Sequence, residues 1–97
     1  MKRLEQIKYI LEQQKTYLEE KYKIKEIGVF GSYVRGEQKK KSDLDILVEF
    51  EEVPGLFTFM EIENYLSDIF KIKVDLVMKD ALKPVIGKQI LREVITV

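Results

Sequence analysis

Residues 28–50 read GVFGSYVRGEQKKKSDLDILVEF. An apolar run closes on the pair Gly31-Ser32, a short basic loop follows, and a second apolar run opens with Asp43 and Asp45. Side chains alternate across a strand, so the two aspartates face the same side of it. Acids placed two apart at the mouth of an apolar strand need a reason, because neighbouring carboxylates disfavour each other's ionisation.

The flanking sequence supplies the rest of a small fold. Ile24–Phe30 is predicted as a strand that ends at Gly31. Before it runs an amphipathic helix with Leu4, Ile7, Leu11 and Leu18 on its apolar face and Ile10 and Tyr17 alongside. Leu44–Phe50, rich in Ile, Val and Phe, is a second strand, broken by EEVPG at residues 51–55. Leu56, Phe59, Met60, Leu66 and Phe70 trace a second helix, and residues 72–78 form a third strand. Asp80 and Pro84 suit the start of a last helix, with Val85, Ile86, Ile90, Leu91 and Val94 on its apolar face.

Connection lengths set the topology. Residues 32–42 are too few for a parallel crossover, so the first two strands are expected to be antiparallel. Residues 51–71 carry a helix and suffice for a right-handed crossover, which makes strands two and three parallel. The expected fold is therefore α/β (α+β), a small mixed sheet of about three strands in the order 1-2-3 flanked by helices. The end of strand one and the starts of strands two and three share one edge of that sheet. Asp75, in KVDLVM near the start of strand three, can there join Asp43 and Asp45. Three such carboxylates would repel one another, and two divalent cations ~3.5–4 Å apart would relieve that repulsion and give it a use.

Composition narrows the chemistry. Ninety-seven residues suit a single domain over 1–97, and 45% hydrophobic with 35% charged residues fits a folded globule. Lys+Arg 17 balances Asp+Glu 17, so neither a general nucleic-acid binder nor a membrane binder is indicated. The run Lys39-Lys40-Lys41 is a local exception, expected as a solvated loop that would still attract a triphosphate. No apolar stretch approaches the length of a membrane span. Cysteine and histidine are both absent, which excludes disulfides, a Cys nucleophile, a His-based triad and a zinc site built on either residue. Catalysis must rest on carboxylates, Lys, Arg, hydroxyls and oxygen-liking metals such as Mg²⁺ or Mn²⁺. A cytoplasmic setting is expected.

Gly31-Ser32, ten intervening residues, Asp43-Leu44-Asp45 and a later-strand Asp75 resemble the signature of the DNA polymerase β-like nucleotidyltransferase superfamily. The short chain and its ending LKPVIGKQILREVITV look most like the minimal nucleotidyltransferases, antitoxin partners of HEPN-domain toxins. The resemblance implies a polymerase β palm-like fold in which Asp43, Asp45 and Asp75 bind two Mg²⁺ ions, with Mn²⁺ as an alternative. Asp75 would also take the proton of an acceptor hydroxyl. It further implies that Gly31, Ser32, Arg35 and Ser42 contact the phosphates of ATP, although Ser42 is equally suited to capping the loop. Tyr33 is a candidate for a place beside the nucleotide, and Lys79 and Lys83 for an approach to it. The implied activity is transfer of AMP from ATP to a protein hydroxyl, a tyrosine of a HEPN toxin, within a heteromeric complex. Two alternatives are a binding module that neutralises a HEPN partner by covering it, and a transferase acting on a small molecule.

Overall fold

The computed structural model describes residues 3–97. Helix α1 (Leu4–Tyr22) leads into strand β1 (Ile24–Phe30), a helical turn α2 (Ser32–Arg35) and strand β2 (Leu44–Phe50). Helix α3 (Leu56–Phe70), strand β3 (Val74–Met78), a 3₁₀ turn (Lys79–Ala81), helix α4 (Pro84–Glu93) and a short strand β4 (Ile95–Thr96) follow. The sheet order is β3-β2-β1-β4. β1 and β2 are antiparallel and β2 and β3 parallel, as the connection lengths require.

Alternation along the strands divides the sheet into two unlike faces. Leu44, Ile46, Val48 and Phe50 of β2, Ile27 and Val29 of β1, and Val74 and Leu76 of β3 are buried on one side. They pack with Ile7, Leu11 and Leu18 of α1 and Ile62, Leu66 and Phe70 of α3. Burying each of these larger side chains stabilises the fold by roughly 1.5–3 kcal/mol. The intervening residues, Asp45, Leu47 and Glu49 on β2 and Asp75 on β3, point to the opposite side.

The helix ends fix where the strands begin. Lys23 (φ 59°) and Lys71 (φ 57°) take the left-handed conformation that closes α1 and α3, a local strain of roughly 1 kcal/mol for a non-glycine residue. The Lys23 N–H closes on the Glu19 carbonyl at 3.1 Å, and one residue later β1 starts. On the outer edge of β3 the Val74 N–H donates to Ser67 Oγ and the Leu76 N–H to Glu63 Oε2, both at 2.9 Å. These α3 side chains cover an edge that would otherwise be open. They also hold the strand on either side of Asp75.

The chain departs from expectation mainly at its C-terminal end. Val94 does not continue the last helix; it caps α4, and the chain then pairs with β1 as a fourth strand, Gly28 opposite Thr96 and Val29 opposite Ile95. Gly28 makes this possible, since a Cβ there would lie 2.8 Å from the Ile95 carbonyl oxygen. Val85 (83% exposed), Ile86 and Leu91 stay in solvent, because the short α4 has no layer above it. On α3 and α1 the apolar faces are likewise displaced. Leu56, Met60 and Tyr17 are exposed, whereas Ile62 and Tyr22 are buried. The third strand begins at Val74 rather than at residue 72. Among the described residues no helix is long and apolar enough to cross a membrane.

Candidate active site

The three aspartates meet at one edge of the open face. In register, Asp45 lies opposite Phe30 on β1 and opposite Asp75 on β3, so the two carboxylates are direct cross-strand neighbours. Asp43 stands just before β2 with the parity of Asp45 and is exposed, as is Asp75, while Asp45 is half-buried. Electrostatics ties them together. Burial pushes the Asp45 carboxyl up to about 6 from 3.8, and the charges of Asp75 and Asp43 add to that rise, with Arg35 working against it.

Gly31, the residue that follows β1, faces this acidic group. Its φ of 83° is left-handed, and a Cβ there would clash with an Asp45 carboxylate oxygen. Only glycine lets the turn sit against the acid. The Gly31 carbonyl accepts the N–H groups of Val34 at 3.0 Å and Arg35 at 3.2 Å, which winds Ser32–Arg35 into one helical turn. That turn places Arg35 above the same edge, as its spacing from Ser32 anticipates. Ser32 is half-buried at the start of the turn.

Arg35 is not free in the fold. Its Nε donates to Glu37 Oε1 at 2.6 Å and its Nη1 to Glu93 Oε1 at 2.9 Å, and both partners raise the guanidinium's affinity for its proton. The other oxygen of Glu93 accepts the Gly31 N–H at 2.7 Å. Glu93 is the residue that sequence reasoning missed. It stands 62 positions from Gly31, one acid among 17, and only the docking of α4 and β4 brings it to the turn. An open cleft of about 460 Å³ lies here, lined by Phe30, Gly31, Arg35, Asp45, Ile90 and Glu93 among others.

Other candidates fall elsewhere. Ser42 Oγ accepts the Lys39 N–H at 2.8 Å, closing the loop that carries the exposed Lys39, Lys40 and Lys41. The Tyr33 ring is buried in the apolar core rather than laid open as a shelf, and burial followed by the Asp43 charge raises its phenol. Lys79 sits near Glu26 (3.8 Å) and Glu49 (3.9 Å) on the open sheet face, and Lys83 is the residue before α4.

The donor set suits a hard divalent cation. It consists of carboxylates alone, one of them held half-buried against the charges of the other two, a cost that Mg²⁺ would remove. Among the described residues, no three acidic side chains converge as they stand on a single ion position.

A family model described as a nucleotidyltransferase domain matches residues 11–97. The protein adenylyltransferase MntA of Thermococcus cleftensis is 55% identical over 94 residues, covering 97% of this chain and 95% of that protein. A solved structure provisionally described as a minimal nucleotidyltransferase matches with a TM-score of 0.81 at 33% identity, over 97% of this chain and 95% of the other. A toxin–antitoxin crystal structure with AMP-PNP matches with a TM-score of 0.71 at 25% identity, over 95% of this chain and 69% of that one. A family match over most of the chain and a relative of 55% identity covered almost end to end place the chain in the nucleotidyltransferase domain family, as an enzyme of that class.

Proposed function

We propose that the protein transfers AMP from ATP to a tyrosine hydroxyl of a HEPN-domain toxin and so acts as its antitoxin in the cytoplasm. The observation that carries this reading is the register pairing of Asp45 with Asp75 beside the left-handed Gly31 turn. Its similarity to a protein adenylyltransferase and to a toxin–antitoxin complex with an ATP analogue supports the substrate and the partner.

Asp43, Asp45 and Asp75 would hold Mg²⁺, which when bound neutralises charge on the triphosphate. The Gly31-Ser32 turn offers backbone N–H groups and the Ser32 hydroxyl to the phosphates, and Arg35 a charge-assisted contact. Asp75 accepts the proton of the tyrosine hydroxyl as its oxygen bonds to the α-phosphorus. The bond from that phosphorus to the β-phosphate oxygen breaks, and pyrophosphate leaves with the electron pair. The protein's part is mostly orientation and electrostatics.

Catalysis and covering differ in stoichiometry. A sub-stoichiometric amount of the chain, incubated with ATP, Mg²⁺ and the toxin, should silence the toxin and add the mass of one or more AMP units to it. Asp75→Asn should still bind the toxin yet leave its mass and toxicity unchanged. Full protection by Asp75→Asn at equal dose, with no mass gain, would instead favour neutralisation by complex formation.

A further inference from the structure

Glu93 holds the position an anionic ligand would take. One of its oxygens accepts the Gly31 N–H at 2.7 Å and the other the Arg35 guanidinium at 2.9 Å. A backbone amide and an arginine sharing one oxyanion is the arrangement by which proteins grip phosphate. The carboxylate borders the cleft that Gly31, Arg35 and Asp45 also line, and its side chain is 22% exposed. Its place is set by the fold. Glu93 ends α4, and pairing of β4 with β1 at Gly28 and Val29 fixes where α4 ends.

We propose that Glu93 is a built-in plug of the phosphate cradle, a carboxylate seated where a phosphate oxygen pair binds, which an incoming nucleoside triphosphate must displace from Gly31 and Arg35. This rests on the reading of Gly31 and Arg35 as phosphate contacts. The Gly31 N–H has one hydrogen to give, so Glu93 and a phosphate cannot both hold it. A seated Glu93 would also set a further negative charge against the triphosphate and the three aspartates. Without nucleotide, the same carboxylate satisfies a buried N–H and neutralises Arg35, which keeps the cradle in shape. The plug therefore opposes every anion, and a ligand with several phosphate charges and their cations overcomes it more readily than one with a single phosphate.

A carboxylate that merely braces Arg35 for catalysis would have the opposite signature. Calorimetric titration with AMP-PNP and Mg²⁺ separates the two, with thermal melts confirming the fold of each variant. Glu93→Gln keeps the side-chain shape and removes the charge, and should bind the analogue about tenfold more tightly than the parent. Glu93→Ala should also bind more tightly. Arg35→Ala should bind more weakly. Equal or weaker binding by both Glu93 variants, with Arg35→Ala weakened, overturns the plug and leaves the phosphate cradle standing. Unchanged affinity in Arg35→Ala overturns the cradle and the plug together. In the parent chain, the isotope-labelled Glu93 carboxyl resonance should move on saturation with AMP-PNP, and a resonance that stays in place overturns the plug whatever the variants do.

Discussion

The two faces of the sheet are built from the same strands and obey opposite rules. Toward α1 and α3, the β2 residues Leu44, Ile46, Val48 and Phe50 are buried among apolar side chains, and no polar side chain among the described residues is buried with them. Toward the open side, Asp45 and Asp75 meet in register, and Gly31, Arg35 and Glu93 line a cleft with Asp45. A repelling group of acids is tolerable because it costs the fold on one side only, while apolar burial stabilises it on the other. A strand of alternating residues can thus serve stability and chemistry at once, provided each parity keeps to its side. Even the glycines follow the division: Gly28 admits β4 and Gly31 admits the Asp45 carboxylate, both by having no Cβ.

The largest expected effect comes from the open face. Asp45→Asn should reduce transfer from labelled ATP to background, yet leave the melting temperature in EDTA unchanged or raised. The pH dependence follows from the raised carboxyl. With a folded-state value of about 6 against 3.8, the folded chain keeps this proton after the unfolded chain has lost it. The associated stability is therefore fully present below about pH 4 and is lost as pH rises through about 6. Melts of the parent in EDTA across that window should show the decline, and Asp45→Asn should lack this component. Substantial transfer by the variant would remove Asp45 from the site.

The packed face should respond in the converse way. Phe70 is fully buried where α3 meets the sheet, and Phe70→Ala is expected to cost about 3–5 kcal/mol of unfolding free energy, read from urea titration. That is a large part of the stability of a domain this size, so activity should fall with the folded population. A loss under about 1 kcal/mol would mean that the helix layer is not where the stability lies.

How much of this was legible in the sequence follows from the range of each interaction. The meeting of Asp45 and Asp75 is legible in the sequence because alternation and connection length are local rules, and the strand register pairs the two residues as those rules expect. Glu93 was invisible, since nothing near it in sequence marks a partner of Gly31. β4 was equally hidden, a two-residue strand whose pairing depends on the missing side chain of Gly28. The apolar periodicity of α4 was real, but periodicity gives a face and not what covers it. Val85, Ile86 and Leu91 have no layer to pack against in this fold.

Substitutions on the exposed side of α4 should matter least, and they check the division of faces most closely. If burial rather than periodicity decides stability, Val85→Ser should change the unfolding free energy by less than about 0.5 kcal/mol, because the side chain is 83% exposed. Valine and serine have similar helix propensities, so the backbone should register little of the change. Ile90→Ser on the same helix should cost more than Val85→Ser, since Ile90 is half-buried and lines the cleft beside Gly31 and Glu93. Paired urea titrations in EDTA compare the two substitutions under one condition. A loss at Val85 as large as at Ile90, and well above about 0.5 kcal/mol, would mean that α4 buries more of its apolar face than the fold shows, and the open side of the sheet would then contribute to stability after all.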